Sequence, residues 1–184
     1  MLLDAQRSVL IVIDLQKKLV PAIDKGDQVV ANAGILLEGA GRLGVPVIVS
    51  EQYPKGLGLT VDAIAAKLPN DAKTIAKLTF SAARSEDFCR DLSALRAGGR
   101  DQMVICGTET HVCVLQTVAD LLVEELPVFL VTDASGSRAE ENRRAGVARM
   151  AGFGAQCVTS EMVLFEWLEA AGNDDFKALS KLIK

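Results

Sequence analysis

The sequence predicts a three-layer α/β/α domain built on a mainly parallel sheet, and three observations carry that prediction. Six bounded apolar runs of strand length alternate with segments whose apolar residues recur at helical spacing. No hairpin turn signal joins consecutive runs, so each connection is a crossover. Several runs are continuously apolar rather than alternating, as expected of strands buried on both faces.

The first run, Ser8 to Ile13 (SVLIVI), ends in Asp14, Leu15 and Gln16. An aspartate where a strand stops reads in two ways: a turn or helix-cap residue, or a carboxylate aimed into the crevice where open parallel sheets bind ligands. From Asp27 a helix places Val29, Val30, Ala33, Leu36, Leu37, Ala40 and Leu43 on one face, and Gly44 ends it. Its tail, Gly39-Ala40-Gly41-Arg42-Leu43-Gly44, matches G-x-G-x-x-G literally. A dinucleotide fingerprint must follow a strand and open a helix; here the glycines close a helix, so no nucleotide cofactor is expected from them.

Val45 to Ser50 is the second strand, and Glu51 to Leu59 (EQYPKGLGL) is a glycine-rich loop with an exposed-looking Tyr53. Such a loop at the C-terminal edge of a sheet forms part of a pocket or is a plain connection. Thr60 to Leu68 reads as a short helix, Thr74 to Ala76 as a short strand leading to Lys77 and Phe80. A lysine is ordinarily a solvated surface residue; Lys77 stands apart because it sits at a strand end. Ser85 reads as the N-cap of a helix carrying Phe88, Leu92 and Leu95, closed by Gly98-Gly99.

The central stretch, Gln102 to Val123 (QMVICGTETHVCVLQTVADLLV), runs from a strand through Gly107-Thr108 to a helix with Val118, Leu121 and Leu122 at helical spacing. Cys113 falls at or near the first turn of that helix. It is either a small apolar packing residue or a nucleophile whose thiolate is favoured by the helix start. Pro127 to Thr132 is the fifth strand, ending in Asp133. Ser137 with Glu140 fits a capping box for the next helix. Ala155 to Thr159 is the sixth strand, Ser160 caps a further helix, and Asp174 to Lys184 is an amphipathic tail that covers the core or docks on another subunit.

Composition narrows the function. At 184 residues and 49% apolar content, one domain over 1–184 is the expectation. A net charge of −4 offers no basic footprint, so neither nucleic acid nor an anionic membrane is an expected partner. No apolar run approaches the roughly 18 residues of a membrane span, and Met1 to Arg7 is too short and polar for a signal peptide. A cytoplasmic protein with four reduced cysteines (Cys89, Cys106, Cys113, Cys157) is expected. With one histidine and no Cys-x-x-Cys, ligands for a structural metal are lacking.

Taken in order, Ile13-Asp14-Leu15-Gln16, Lys77 with Phe80, and Gly107-Thr108-Glu109-Thr110-His111-Val112-Cys113-Val114 resemble the isochorismatase-like cysteine hydrolases, relatives of nicotinamidase and N-carbamoylsarcosine amidohydrolase. Ser50-Glu51-Gln52-Tyr53-Pro54-Lys55-Gly56-Leu57-Gly58 and the tail are most similar to the isochorismatase domain-containing proteins. The resemblance implies a Rossmann-like sheet of order 3-2-1-4-5-6, with a crevice between strands 1 and 4. It implies a triad in which Cys113 attacks a carbonyl, Asp14 moves the proton and Lys77 supplies positive charge. It further implies a cis peptide between Thr108 and Glu109, which turns the Glu109 amide beside that of Cys113 to form an oxyanion hole. On the implied order Lys77 starts about 10 Å from strand 1, so its loop must bend inward.

Gln16, Tyr53 and Phe80 are candidate pocket residues. Ser50-Glu51-Gln52-Tyr53 stands where nicotinamidases of the resembled family carry an Asp-x-His metal site, so no metal or other cofactor is expected. The implied function is metal-independent cleavage of an amide-type C–N bond in a small molecule, the expected partners being that substrate and further copies of the chain. A non-catalytic binding protein and a true isochorismatase are the alternatives. A Cys113–His111 pair is not expected, because residues two apart at a helix start point to different sides.

Overall fold

The apolar runs assemble into one sheet because each can be covered only from both sides. The computed structural model describes residues 1–183, with strands β1 (Ser8–Ile13), β2 (Val47–Gln52), β3 (Lys73–Lys77), β4 (Gln102–Thr108), β5 (Val128–Gly136) and β6 (Gln156–Val158). They lie in the order β3-β2-β1-β4-β5-β6, every pairing parallel. The expected order is therefore found, and the sheet is parallel throughout.

The helices are α1 (Gly26–Leu43), α2 (Pro54–Leu57), α3 (Asp62–Ala65), α4 (Glu86–Ala97), α5 (Leu115–Val123), α6 (Glu140–Gly152), α7 (Ser160–Leu168) and α8 (Asp174–Leu179). Side chains alternate across each strand, and the core divides accordingly. Leu10, Val12, Val47, Val49, Val104 and Phe129 pack under α1, α7 and α8. Val9, Ile11, Ile48, Met103, Ile105 and Leu130 pack under α4, α5 and α6. Burying each such side chain stabilises the fold by about 1.5–3 kcal/mol, which is why the sheet leaves little freedom of register.

Local chemistry sets the ends of the helices. Gly44 closes α1 in the left-handed conformation (φ 67), as the sequence predicts. Gly39, in the G-x-G-x-x-G match, is a packing residue: a Cβ there would lie 2.4 Å from Leu164 Cδ2 on α7. The expected capping box at Ser137 and Glu140 does not form; Ala139 is the N-cap of α6, while the Ser137 hydroxyl faces His111. At α7 the N-cap is Thr159 rather than Ser160, and Asp133 supplements it by accepting from Ser160 N and Oγ at 2.8 and 2.7 Å.

Asp133 can do this because β5 does not stop there. Register with β4 slips between Ile105↔Leu130 and Gly107↔Ser135, so β5 carries extra residues there in an irregularity of the pairing and runs on through Gly136. The tail takes the first of its two expected places. Leu179 is buried, Leu182 and Ile183 pack on the α1 side of the core, and Arg42 of α1 donates to Asp175 at 2.7 Å. Lys184, the last residue of the expected tail, lies outside the described residues.

Candidate active site

Register brings the C-terminal ends of β1, β2 and β4 to one level. Ile13 pairs with Ser50 on one side and Gly107 on the other, so Asp14 emerges where the three strands end together. Gly107 makes this possible: at φ 138 it approaches β1 so closely that a Cβ would lie 2.0 Å from Ile13 O. Asp14 itself is left-handed (φ 54), and its main chain is pinned by Thr108 Oγ1, which donates to Asp14 O at 2.6 Å. Its carboxylate is fully buried and saturated with donors. Ser50 Oγ donates to Oδ1 at 2.7 Å and Lys77 Nζ to Oδ2 at 2.8 Å.

Lys77 reaches Asp14 without the inward bend expected of its loop. It is the last residue of β3, paired with Gln52, and its own side chain crosses over β2. The crossing is open because β2 presents the small Ser50 there. The ammonium is caged on its remaining sides by Gln52 Oε1 at 2.8 Å and the carbonyl oxygens of Phe80 and Thr79 at 3.0 and 3.4 Å. Four acceptors around a buried cation meet the condition under which burial of a charge is tolerated.

Cys113 lies in a π turn, Thr110–Val114, that precedes α5, and the charges of Asp14 and Lys77 both act on its thiol. Widened turns of this kind often mark functional sites. Thr117 Oγ1 fixes the turn by donating to Cys113 O at 2.7 Å, and accepts from Ala82 N at 2.9 Å, which ties it to the segment following Lys77. Asp14, Lys77 and Cys113 therefore converge.

The state of the thiol differs from the expectation of an eased thiolate. Burial pushes the Cys113 thiol up to about 12; the charge of Asp14 adds to this and Lys77 opposes it. The resting group is a neutral thiol. Cys106, fully buried in β4, is also raised to about 12 by burial. Both thiols favour the protonated form in the folded state, so they add nothing to the pH dependence below the ordinary thiol value. Above it the unfolded chain loses protons that the folded chain keeps. Stability is expected to fall from about pH 9 to pH 12 by roughly 1.4 kcal/mol per pH unit per thiol. Urea-unfolding midpoints from pH 8 to 11 check this: Cys106→Ala should flatten the slope, and an unchanged slope would refute it.

The candidate pocket residues divide. Gln16 is buried and fully committed: Nε2 donates to Gln52 O at 2.9 Å and Gly58 O at 2.6 Å, while Oε1 accepts from Gln52 N at 2.8 Å. It staples the glycine-rich loop rather than offering groups to a ligand. Tyr53 and Phe80 are half-exposed on the rim formed after β2 and β3. Gly56 gives the Tyr53 ring its place, since a Cβ there would lie 2.3 Å from Tyr53 Cε1. Glu51 accepts from Thr60 N and Oγ1, both at 2.7 Å, and Gln52 from Lys77, so the residues at the nicotinamidase metal position are engaged in holding the loop and the lysine.

The expected cis peptide is corrected. Among the described residues no peptide bond is cis; the chain turns out of β4 through Glu109 in the left-handed region (φ 54, ψ 58) across a trans Thr108–Glu109 bond. The positive φ at Glu109 redirects the chain in place of a cis bond. Glu109 N makes no hydrogen bond among the described residues, which leaves it free as a donor. His111 is engaged elsewhere, with Nδ1 3.0 Å from Ser137 Oγ. Ser50, Gln52 and Thr117 are supporting residues that sequence reasoning missed, and Thr108, expected only as part of a cis peptide, acts through its hydroxyl. Only Ser50, a small polar residue closing an apolar run, left a signal in the sequence.

The arrangement has counterparts. Residues 8–162 match the model of the isochorismatase domain. The chain is 36% identical over 182 residues to isochorismatase domain-containing protein 2A of Mus musculus, covering 97% of this chain and 84% of that one. It is 37% identical over 179 residues to isochorismatase domain-containing protein 1 of Danio rerio, covering 96% of this chain and 61% of that longer relative. Among solved structures, the MAR1 ribonuclease of Caenorhabditis elegans superposes with a TM-score of 0.92 at 33% identity, over 100% of this chain and 92% of that one. The YcaC protein of Escherichia coli, an octameric hydrolase of unknown specificity, gives 0.90 at 30% identity, over 100% and 89%. With the family model matching residues 8–162 and a relative 36% identical over 97% of this chain, the chain belongs to the isochorismatase family.

Proposed function

We propose that the chain is a metal-independent cysteine hydrolase that cleaves an amide-type C–N bond of a small molecule. The observation that carries this reading is the buried cluster of Cys113, Asp14 and Lys77, in which the Asp14 carboxylate is paired with the Lys77 ammonium at 2.8 Å and its charge acts on a neutral thiol. A positioned carboxylate is a competent proton carrier. As Cys113 Sγ attacks the carbonyl carbon, its proton passes to Asp14 and the carbonyl oxygen becomes an oxyanion. The backbone N–H groups of Glu109 and Cys113 are the proposed donors to that oxygen. Collapse breaks the C–N bond, and the leaving nitrogen takes the proton from Asp14. The thioester left on Cys113 is cleared by water, which Asp14 deprotonates, and the thiol is restored.

Lys77 keeps its proton throughout; its role is to hold Asp14 in place and offset its charge. Tyr53 and Phe80 on the rim are proposed to contact the substrate. A homo-oligomer is the proposed assembly, supported by the octameric YcaC relative, and a cytoplasmic setting is supported by four cysteines that are all unpaired. A phosphodiester or an isochorismate dianion is a poor fit, because Lys77 and Arg138 are both already ion-paired with carboxylates.

Intact-mass measurement during incubation with a panel of small primary amides tests the mechanism. The expected result is a transient adduct on Cys113, with ammonia release abolished in Cys113→Ala. Undiminished turnover by that variant would sink the cysteine mechanism; absence of any adduct or turnover across a broad panel would favour a binding protein on the same fold.

A further inference from the structure

The turn that carries Cys113 begins with two buried polar groups, at Glu109 and Thr110, that have no hydrogen-bond partner among the described residues. Glu109 is only 7% exposed; its Oε1 pairs with Arg138 Nε at 2.6 Å, while its Oε2 has no hydrogen-bond partner. His111 Nδ1 stands 3.4 Å from that oxygen, but is engaged with Ser137 Oγ at 3.0 Å. The hydroxyl of the adjacent Thr110, fully buried, is likewise without a partner. Buried acceptors in folded proteins are nearly always satisfied, so an orphaned carboxylate oxygen calls for a donor from outside the chain.

The charges around the nucleophile have the same sense. Asp14 and Lys77 neutralise one another in full burial, leaving the Glu109–Arg138 pair to set the balance. Within that pair the carboxylate side chain is 9% exposed and the arginine 61%, so solvent screens the cation far more than the anion. Glu109 is close enough to Cys113 to help hold its thiol protonated, which places the carboxylate within electrostatic reach of the reacting atoms.

We infer that Glu109 Oε2, with the hydroxyl of the next residue, Thr110, forms a specificity subsite for an N–H-bearing group of the substrate, so that the amide cleaved is a small neutral or cationic one carrying an amino, amidino or ureido group. This rests on the hydrolase reading of Cys113. Glu109 thereby has two separate duties, its main-chain N–H toward the oxyanion and its side chain toward the far end of the substrate. Arg138 is a positioning residue that holds the carboxylate from the solvent side.

The test needs no turnover. Cys113 is modified with 2-aminoethyl, methyl and 2-sulfonatoethyl methanethiosulfonate, which are cationic, neutral and anionic. In each the thiolate attacks the sulfenyl sulfur, expels methanesulfinate and leaves a mixed disulfide. Rates are read by peptide mass spectrometry and normalised to the exposed Cys157, whose thiol is perturbed by burial alone with no charged neighbour contributing. The expected result is a cation-over-anion preference at Cys113 of about tenfold or more. Glu109→Gln should collapse it to within about threefold, and Arg138→Met, which unmasks the carboxylate, should enlarge it.

A preference that survives Glu109→Gln while Cys113 still reacts, an anion preference in the native protein, or a Cys113 closed to all three reagents would each overturn the subsite. Amide turnover measured on the same samples separates the two readings. Turnover without a charge preference keeps the hydrolase and removes the subsite; a Glu109-dependent preference without turnover keeps the subsite in a protein that only binds.

Discussion

Asp14→Asn is expected to change two properties of Cys113 in opposite directions. Amide hydrolysis should fall by about 10²–10⁴-fold, the usual contribution of a positioned acid-base group. Alkylation of Cys113 by iodoacetamide near neutral pH should become faster. The reason is in the charges that act on the thiol: the Asp14 charge favours the protonated form, and Lys77 favours the thiolate. Removing the carboxylate takes away the opposing influence and leaves the ammonium uncompensated.

The sign follows directly. The substitution lowers the thiol pKa from its raised value, so the thiolate fraction at a fixed pH below that value increases, and labelling follows the thiolate. Peptide-resolved labelling from pH 6 to 10, alongside turnover, measures both effects on one sample. If labelling slows together with turnover, Asp14 activates the resting thiol and the proton-carrier role assigned to it is wrong. Cys106, buried in β4 beyond the reach of the Asp14 pair, is the internal control that should not move.

Lys77→Met is expected to cost about 3–5 kcal/mol of folding stability, the typical loss when one partner of a buried ion pair is removed. Asp14 would keep Ser50 as a donor and lose the only cation near it. The companion double variant, Asp14→Asn with Lys77→Met, should recover a large part of the loss, since it leaves no uncompensated charge. Urea unfolding of the two single variants and the double variant closes the cycle. A double variant no more stable than Lys77→Met would mean that the lysine stem, packed over β2, contributes by its contacts rather than by its charge.

These two results bear on how much of the molecule was legible beforehand. The strands were readable because a segment buried on both faces must be continuously apolar, and Val9 to Ile13 and Met103 to Cys106 are. The end of α1 was readable because a left-handed C-cap favours glycine, found at Gly44. Helix starts were less legible. Ser137 and Glu140 have the spacing of a capping box, yet the bulge in β5 carries Ser137 to His111 and leaves Ala139 as the cap. A bulge depends on what the neighbouring strand does, and the local sequence does not encode the neighbour.

The site divides along the same line. Asp14, Lys77 and Cys113 stand just beyond apolar runs, so their arrival at one end of a parallel sheet follows from the sequence and the strand order. Gln16 shows the opposite case: it lies beside Asp14 in sequence, but its amide is consumed by Gln52 and Gly58, an outcome set by how the loop after β2 folds back. In the sequence Glu109 offers only its main-chain N–H. Its side chain gains meaning because Arg138, just past the end of β5, meets one of its oxygens and leaves the other bare.

What the sequence by itself determined is the architecture and the chemical inventory. Burial fixes apolar periodicity, turns demand particular residues, and both are local properties written residue by residue. What only the tertiary structure decided is the electrical state of the inventory. Cys113 is a protonated thiol because burial and Asp14 outweigh Lys77, and Lys77 reaches Asp14 because Ser50 leaves room across β2. Charge interactions depend on distance and on exclusion of water, and both are set by residues that lie far apart in the chain and meet only when it folds.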